Sequence, residues 1–352
     1  MKKTLLLLFI FVSQLLIAQI PSYYNDVNLT LTGMALKTEL STKVKNTHTT
    51  LIPYGWTALQ AADVNPSNSS EVLLIYGWEN GSDGDITNDH ERGINQHGGN
   101  TGDWNREHVF AKSLANPSLT TNNPGPGTDM QNLRPADVSR NSNRSSLKFI
   151  SGSGTSHATG GGWYPGDEWK GDVARIIMYM YIRYDGDGKS VAETQCLPVN
   201  VGIGTTNSID SNMINLFLDW NAADPVSAVE LQRNPVSESL QGNRNPFIDN
   251  PALATRIWGG TQAQDTWGTL AVANYELKSF EVYPNPSNTH SINIVLNKQN
   301  QADITLYNIS GQLLYKHRMT TKKQTIPNLP TGFYMLKVTT DNKTAVKKVI
   351  VN

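Results

Sequence analysis

The chain has 352 residues, 38% of them hydrophobic, with eight tryptophans and a net charge of −1, enough for a large cored domain plus a small one and not the composition of a disordered chain. The single cysteine, Cys196, excludes an internal disulfide and a cysteine-based zinc site, so the fold must rest on packing. The near-neutral total hides a division. Residues 19–278 carry 18 basic and 27 acidic side chains, about −9, which argues against a broad basic grip on nucleic acid, whereas residues 279–352 carry nine basic and three acidic.

Met1-Lys2-Lys3, the apolar run Leu5 to Ile17 and Ala18-Gln19 read as a cleavable secretory signal over 1–18, too short to span a membrane. Spaced apolar positions from Val27 to Val44 predict a helix within 25–45, and Val72-Leu73-Leu74-Ile75-Tyr76 predicts a buried strand over 71–78. Residues 79–102 are a long polar loop. Its Asp83, Asp85 and Asp89 match no established calcium loop, and His90 and His97 read as loop residues. A short strand is expected over 107–110 and a Pro/Gly-rich connection over 116–128, and a helix is expected to begin near Pro135. On that helix Asp137, Arg140, Asn141 and Arg144 would share one face. A strongly apolar helix follows over 173–184, with Arg175 near its start, then an Asp185-Gly186-Asp187-Gly188 turn and Cys196 as a small buried residue. Further helices are expected over 212–220 and 226–240, a polar loop with a short helix up to Trp258, and a linker over 263–278. Six or seven alternating runs over 279–352 predict a small all-β sandwich. The fold class is therefore α+β: a mixed domain over 19–262 followed by an all-β C-terminal domain.

The chemistry concentrates between Trp104 and Leu147. Hydrolysis of a phosphodiester needs an activated water, charge neutralisation on the phosphate and help for the leaving oxygen. Histidine is the natural general base near neutral pH, and a divalent cation held by hard oxygens clamps the phosphate. His108 beside Glu107 suits that division, provided the strand bends so that both side chains converge. Glu107 with the amide oxygen of Asn141 would leave several waters on Mg²⁺, as that ion prefers. Arg140, Arg144 and Arg175 are then available for phosphate oxygens. On spacing alone, a structural ion pair and a polar helix face account for the same residues.

Asn105-Arg106-Glu107-His108-Val109, the stretch Asp129 to Ala136 and Arg140-Asn141-Ser142-Asn143-Arg144-Ser145 resemble the signature of the endonuclease I family, secreted bacterial nucleases with a ββα-metal (His-Me finger) site. The resemblance covers about 30–260. It implies His108 as general base, Glu107 and Asn141 as ligands of Mg²⁺ (with Mn²⁺ or Ca²⁺ as substitutes or bound elsewhere), and Arg144 as support for the site or the phosphate. Arg106, Asn132, Arg140 and Arg175 complete the candidate substrate contacts. Gln131 and Tyr164 stand where many members have His and Glu, and the cysteines of some members are absent. Residues 113–128 hold no arginine, so a transition-state arginine would have to be Arg106, Arg140 or Arg175. The implied activity is a secreted, sequence-nonspecific endonuclease acting on DNA, with RNA as a further substrate. The alternative is an extracellular nucleic-acid-binding or adhesion protein on an inactive nuclease scaffold. Tyr283-Pro284-Asn285-Pro286, Tyr307 to Gln312, Leu329 to Tyr334 and the terminal Lys347 to Val351 resemble the type IX secretion sorting domain of Bacteroidetes, which implies that secretion machinery as a partner and an extracellular or cell-surface address.

Overall fold

The computed structural model describes residues 19–184, 200–268, 280–296, 301–340 and 343–352. The signal segment, the Asp185–Gly188 turn and Cys196 lie outside the described residues. The chain divides into two compact units, one ending at Gly268 and the other beginning at Thr269.

The first unit is mixed: helices α1 (Gly33–Thr47) and α2 (Thr57–Ala62), a three-stranded antiparallel sheet of β1 (Val64–Asn65), β2 (Asn68–Leu73) and β3 (Glu91–Gly93), then β4 (Trp104–His108), β5 (Leu133–Asp137) and α3 (Val138–Arg144). A small hairpin, β6 (His157–Thr159) and β7 (Gly162–Tyr164), precedes α4 (Lys170–Arg183), α5 (Asn215–Ala223), α6 (Ala228–Gln241), α7 (Pro246–Asp249) and α8 (Ala252–Trp258). Helix α4 is apolar nearly all round, the mark of a central helix, and α1, α5 and α7 pack on it. Its polar side chains are matched inside: Asp172 pairs with Arg134, Arg175 with Glu230, Tyr179 donates to Asp129 and Arg183 to His48.

Several boundaries differ from the sequence reading for local reasons. Helix α1 starts at Gly33 because the chain before it closes a 3₁₀ turn at Ser22–Tyr24 and an Asn28 turn in which Thr30 N donates to Asn28 Oδ1. Strand β2 stops at Leu73. Tyr76 takes a left-handed conformation (φ 75°), and Gly77 runs against the Asp89 carbonyl too closely for any side chain. Pro135 lies in β5, not at a helix start: its carbonyl accepts from Ile75 N, and a residue preceding proline favours extended backbone. Helix α3 begins three residues later, where Asp137 caps the amides of Ser139 and Arg140. Helix α6, expected over 226–240, runs from Ala228 to Gln241, because Ser227 and Glu230 form a capping box and Gly242 closes the C-terminus at φ 91°. Residues 263–268 stay with this unit, Trp267 packing on Tyr24 within its core, so the unit runs past the expected edge at 262.

The second unit is all β. Strands β8 (Phe280–Tyr283), β9 (Ile292–Leu296) and β12 (Lys323–Ile326) form one antiparallel sheet, and β10 (Ala302–Asn308), β11 (Leu313–Met319), β13 (Gly332–Thr340) and β14 (Lys343–Val351) the other. Their inward residues, including Ile292, Ile294, Ile304, Leu306, Leu336 and Val349, form one core. Among the described residues no helix is long and apolar enough to cross a membrane.

Candidate active site

Strands β4 and β5 pair antiparallel, with Glu107 opposite Arg134 and His108 opposite Leu133, and α3 follows β5 directly. Neighbouring side chains on a straight strand point to opposite faces. Here Glu107 and His108 close β4, whose register with β5 runs on through Val109 N to the Asn132 carbonyl, and both line one cleft of about 320 Å³. Asn141, Arg144, Arg106, Tyr54, Lys112 and Ser145 line it too.

Glu107, His108 and Asn141 are each held by a neighbour. Glu107 is buried, and its Oε1 accepts from the Tyr76 hydroxyl at 2.9 Å and meets Arg144 Nη1 at 3.1 Å. Burial holds the Glu107 carboxyl above its ordinary range against the pull of Arg144. His108 Nε2 lies 2.7 Å from the Gly127 carbonyl. A carbonyl only accepts, so Nε2 carries the proton of the neutral ring and Nδ1 is the basic nitrogen. Burial pushes the His108 imidazole down to about 4, so it is unprotonated at neutral pH. Asn141 donates from Nδ2 to Asn105 Oδ1 at 2.6 Å, which leaves its amide oxygen as the free acceptor.

The arginines divide differently from the sequence reading. Arg144 is fully buried and donates to the His108 and Val109 carbonyls at 3.0 and 2.7 Å besides meeting Glu107, so it ties α3 to the end of β4 and is a positioning residue. Arg175 does not reach the cleft: it is fully buried on α4 in a bidentate pair with Glu230, at 2.6 and 2.7 Å. Arg140 points the other way, with its guanidinium over the Trp78 ring and its Nε donating to the Thr87 carbonyl. Asn132 is a structural clip, its side chain bonded to both the amide and the carbonyl of Phe110. Of the candidate substrate contacts only Arg106 lines the cleft, its guanidinium stacked between Tyr54 and Trp56 at 3.7 Å from each ring centre. Gln131 and Tyr164, the two departures from the family pattern, are buried and line no part of it.

Sequence reasoning missed Tyr76, the Gly127 carbonyl and Lys112. Tyr76 was hidden inside an apolar run, Gly127 in a loop without periodicity, and Lys112 in the residues just past the strand. The strained conformation of Tyr76 aims its hydroxyl at Glu107, the kind of outlier that gathers at functional sites.

A model of the family "Endonuclease I" matches residues 32–252, and one of the "Secretion system C-terminal sorting domain" matches residues 281–352. The chain belongs to the endonuclease I family. It is 38% identical over 250 residues to an extracellular ribonuclease of Bacillus amyloliquefaciens, covering 68% of this chain and 79% of that one. It is 40% identical over 237 residues to an extracellular ribonuclease of Bacillus subtilis (strain 168), covering 64% and 75%. As a member of the endonuclease I family it is a nuclease, a hydrolase, and its sorting domain assigns it to the cell exterior or surface.

The donor set of this endonuclease I suits a hard divalent cation: one carboxylate and one amide oxygen at the same cleft. Among the described residues no three His, Cys, Asp or Glu side chains cluster as a metal cage, so a cation there would keep most of its ligands as water.

The depressed pKa of His108 has a consequence for stability. Between about pH 6.5, the ordinary histidine value, and about 4, the unfolded chain binds more protons at this residue than the folded one, so the residue's contribution is full above that window and lost as pH falls through it. The difference in urea-unfolding free energy between wild type and His108→Ala is expected to narrow by about 2–3 kcal/mol from pH 7 to 4.5. A difference that holds constant over that range would mean that the ring titrates alike in both states.

Proposed function

We propose that this endonuclease I is a Mg²⁺-dependent, sequence-nonspecific endonuclease that hydrolyses DNA and RNA, with β4, β5 and α3 acting as a ββα-metal motif. The observation that carries the reading is the convergence of His108, Glu107 and Asn141 on one cleft, with His108 Nε2 committed to the Gly127 carbonyl.

His108 Nδ1 takes the proton of an attacking water. The water oxygen forms a bond to phosphorus as the phosphorus–oxygen bond to the leaving sugar breaks, and the leaving oxygen takes its proton from solvent. Glu107 and Asn141 would hold the cation, which supplies charge neutralisation on the phosphate and the leaving oxygen. Tyr76 and Arg144 fix the Glu107 carboxylate through Oε1, and Arg144 also fixes the backbone on either side of the His108–Val109 peptide. The acidic balance of residues 19–278 leaves substrate binding to this local cluster, and the extracellular ribonuclease relatives support RNA as a substrate beside DNA.

The mature chain is expected to cut plasmid DNA and RNA with Mg²⁺ and to cut neither in EDTA. Absence of cutting with Mg²⁺, Mn²⁺ and Ca²⁺ alike would favour the alternative, a nucleic-acid-binding or adhesion protein on this scaffold. Tyr76→Phe, which removes the bond that orients Glu107, is expected to raise the Mg²⁺ concentration for half-maximal cutting by about 10–100-fold. An unchanged requirement would show that the hydroxyl does not orient the carboxylate.

A further inference from the structure

We propose that Lys112 is the cation that binds a non-bridging oxygen of the scissile phosphate, the role that the chain's arginines leave open. The assignment rests on the nuclease reading above. Among the described residues, the cations that line the cleft are Arg106, Lys112 and Arg144. Arg144 is fully buried and spent on Glu107 and the backbone carbonyls of His108, Val109 and Ser145. Arg106 is clamped between two aromatic rings, with one guanidinium nitrogen donating to the Tyr54 carbonyl at 3.0 Å. Arg140 and Arg175 lie elsewhere, bound as described.

Lys112 differs from all of these. Its backbone is anchored: it opens the 3₁₀ turn Lys112–Leu114, and its carbonyl accepts from Leu119 N at 3.1 Å. Its side chain is exposed, and among the described residues it has no carboxylate or hydrogen-bond partner. A fixed base beneath a free ammonium group, at the mouth of a cleft that holds the general base, is suited to an anion that arrives and leaves with each turnover. The ammonium makes no proton transfer in this role. It offsets the negative charge that builds on the phosphate oxygens as the water attacks.

The test compares wild type with Lys112→Met and Lys112→Arg in the full mature chain, with two readouts. In Mg²⁺, Lys112→Met is expected to lower kcat/KM by about 10²-fold, the scale of a lost transition-state donor, and Lys112→Arg to recover most of it. In EDTA, a fluorescein-labelled single-stranded oligonucleotide is expected to bind Lys112→Met more weakly, with the dependence of log affinity on log salt shallower by about 0.7, one phosphate contact on a single strand. Loss of kcat/KM in Lys112→Met with recovery in Lys112→Arg supports the assignment, as does the shallower salt slope. If wild type cuts and Lys112→Met cuts equally well with the same salt slope, Lys112 is a bystander and the assignment falls alone. If wild type does not cut, the nuclease reading falls and takes the assignment with it.

Discussion

Replacing His108 with alanine is expected to lower the rate of plasmid nicking by about 10²–10⁴-fold at saturating substrate and Mg²⁺, the span of a lost general base. The structure gives the loss a specific origin. The Gly127 carbonyl fixes the tautomer through Nε2, so the basic nitrogen is Nδ1, and burial keeps the ring neutral at working pH. Alanine at 108 leaves the backbone carbonyl that accepts from Arg144, so Arg144 and Glu107 retain their contacts and KM for Mg²⁺ should change little. An acid limb in wild type should then follow a group other than His108, since the ring stays neutral well below its ordinary range. A variant that keeps wild-type nicking would show that the base lies elsewhere.

Arg175→Met is expected to destabilise the fold by about 3–5 kcal/mol, read as a shift in urea midpoint with an unchanged slope. Arg175 belongs to a buried chain of ion pairs running from Asp63 through Arg134 to Asp172, Arg175 and Glu230, all essentially without solvent contact. Removing one guanidinium leaves the Glu230 carboxylate, which also completes the α6 capping box, without its bidentate partner. Methionine approximates the volume, so the cost is the uncompensated charge and not a cavity. Nicking at low temperature, where the variant stays folded, should keep the wild-type KM for DNA. A stable variant with weakened substrate binding would return Arg175 to the phosphate contacts.

Helix α6 was expected over 226–240, close to its bounds, although its Ser227–Glu230 capping box and Gly242 stop went unread, and the strands of the C-terminal unit were legible because alternation is local. The Glu107, His108 and Asn141 cluster was legible through its resemblance to a family, and the structure brings those three side chains to one cleft. The arginines were not legible. Whether Arg140, Arg144 or Arg175 meets a phosphate depends on which acid or carbonyl lies nearby, and Glu230 is 55 residues from Arg175 along the chain. Pro135 misled for the opposite reason: proline suits both the first turn of a helix and an extended strand, and the pairing of β5 with β4 decided between them. Tyr76 was hidden because its apolar neighbours gave it the pattern of a strand, while its role depends on a left-handed backbone that periodicity does not report.

The most direct test of the account is Mn²⁺ binding, by calorimetric titration of the mature chain, for wild type, Glu107→Gln, Asn141→Ala and His108→Ala. Glu107→Gln and Asn141→Ala are expected to lose most of the affinity, and His108→Ala to bind Mn²⁺ like wild type while failing to cut DNA. Wild-type affinity in both Glu107→Gln and Asn141→Ala, or loss of the metal in His108→Ala, would contradict the division of the cleft into a metal-holding pair and a separate base.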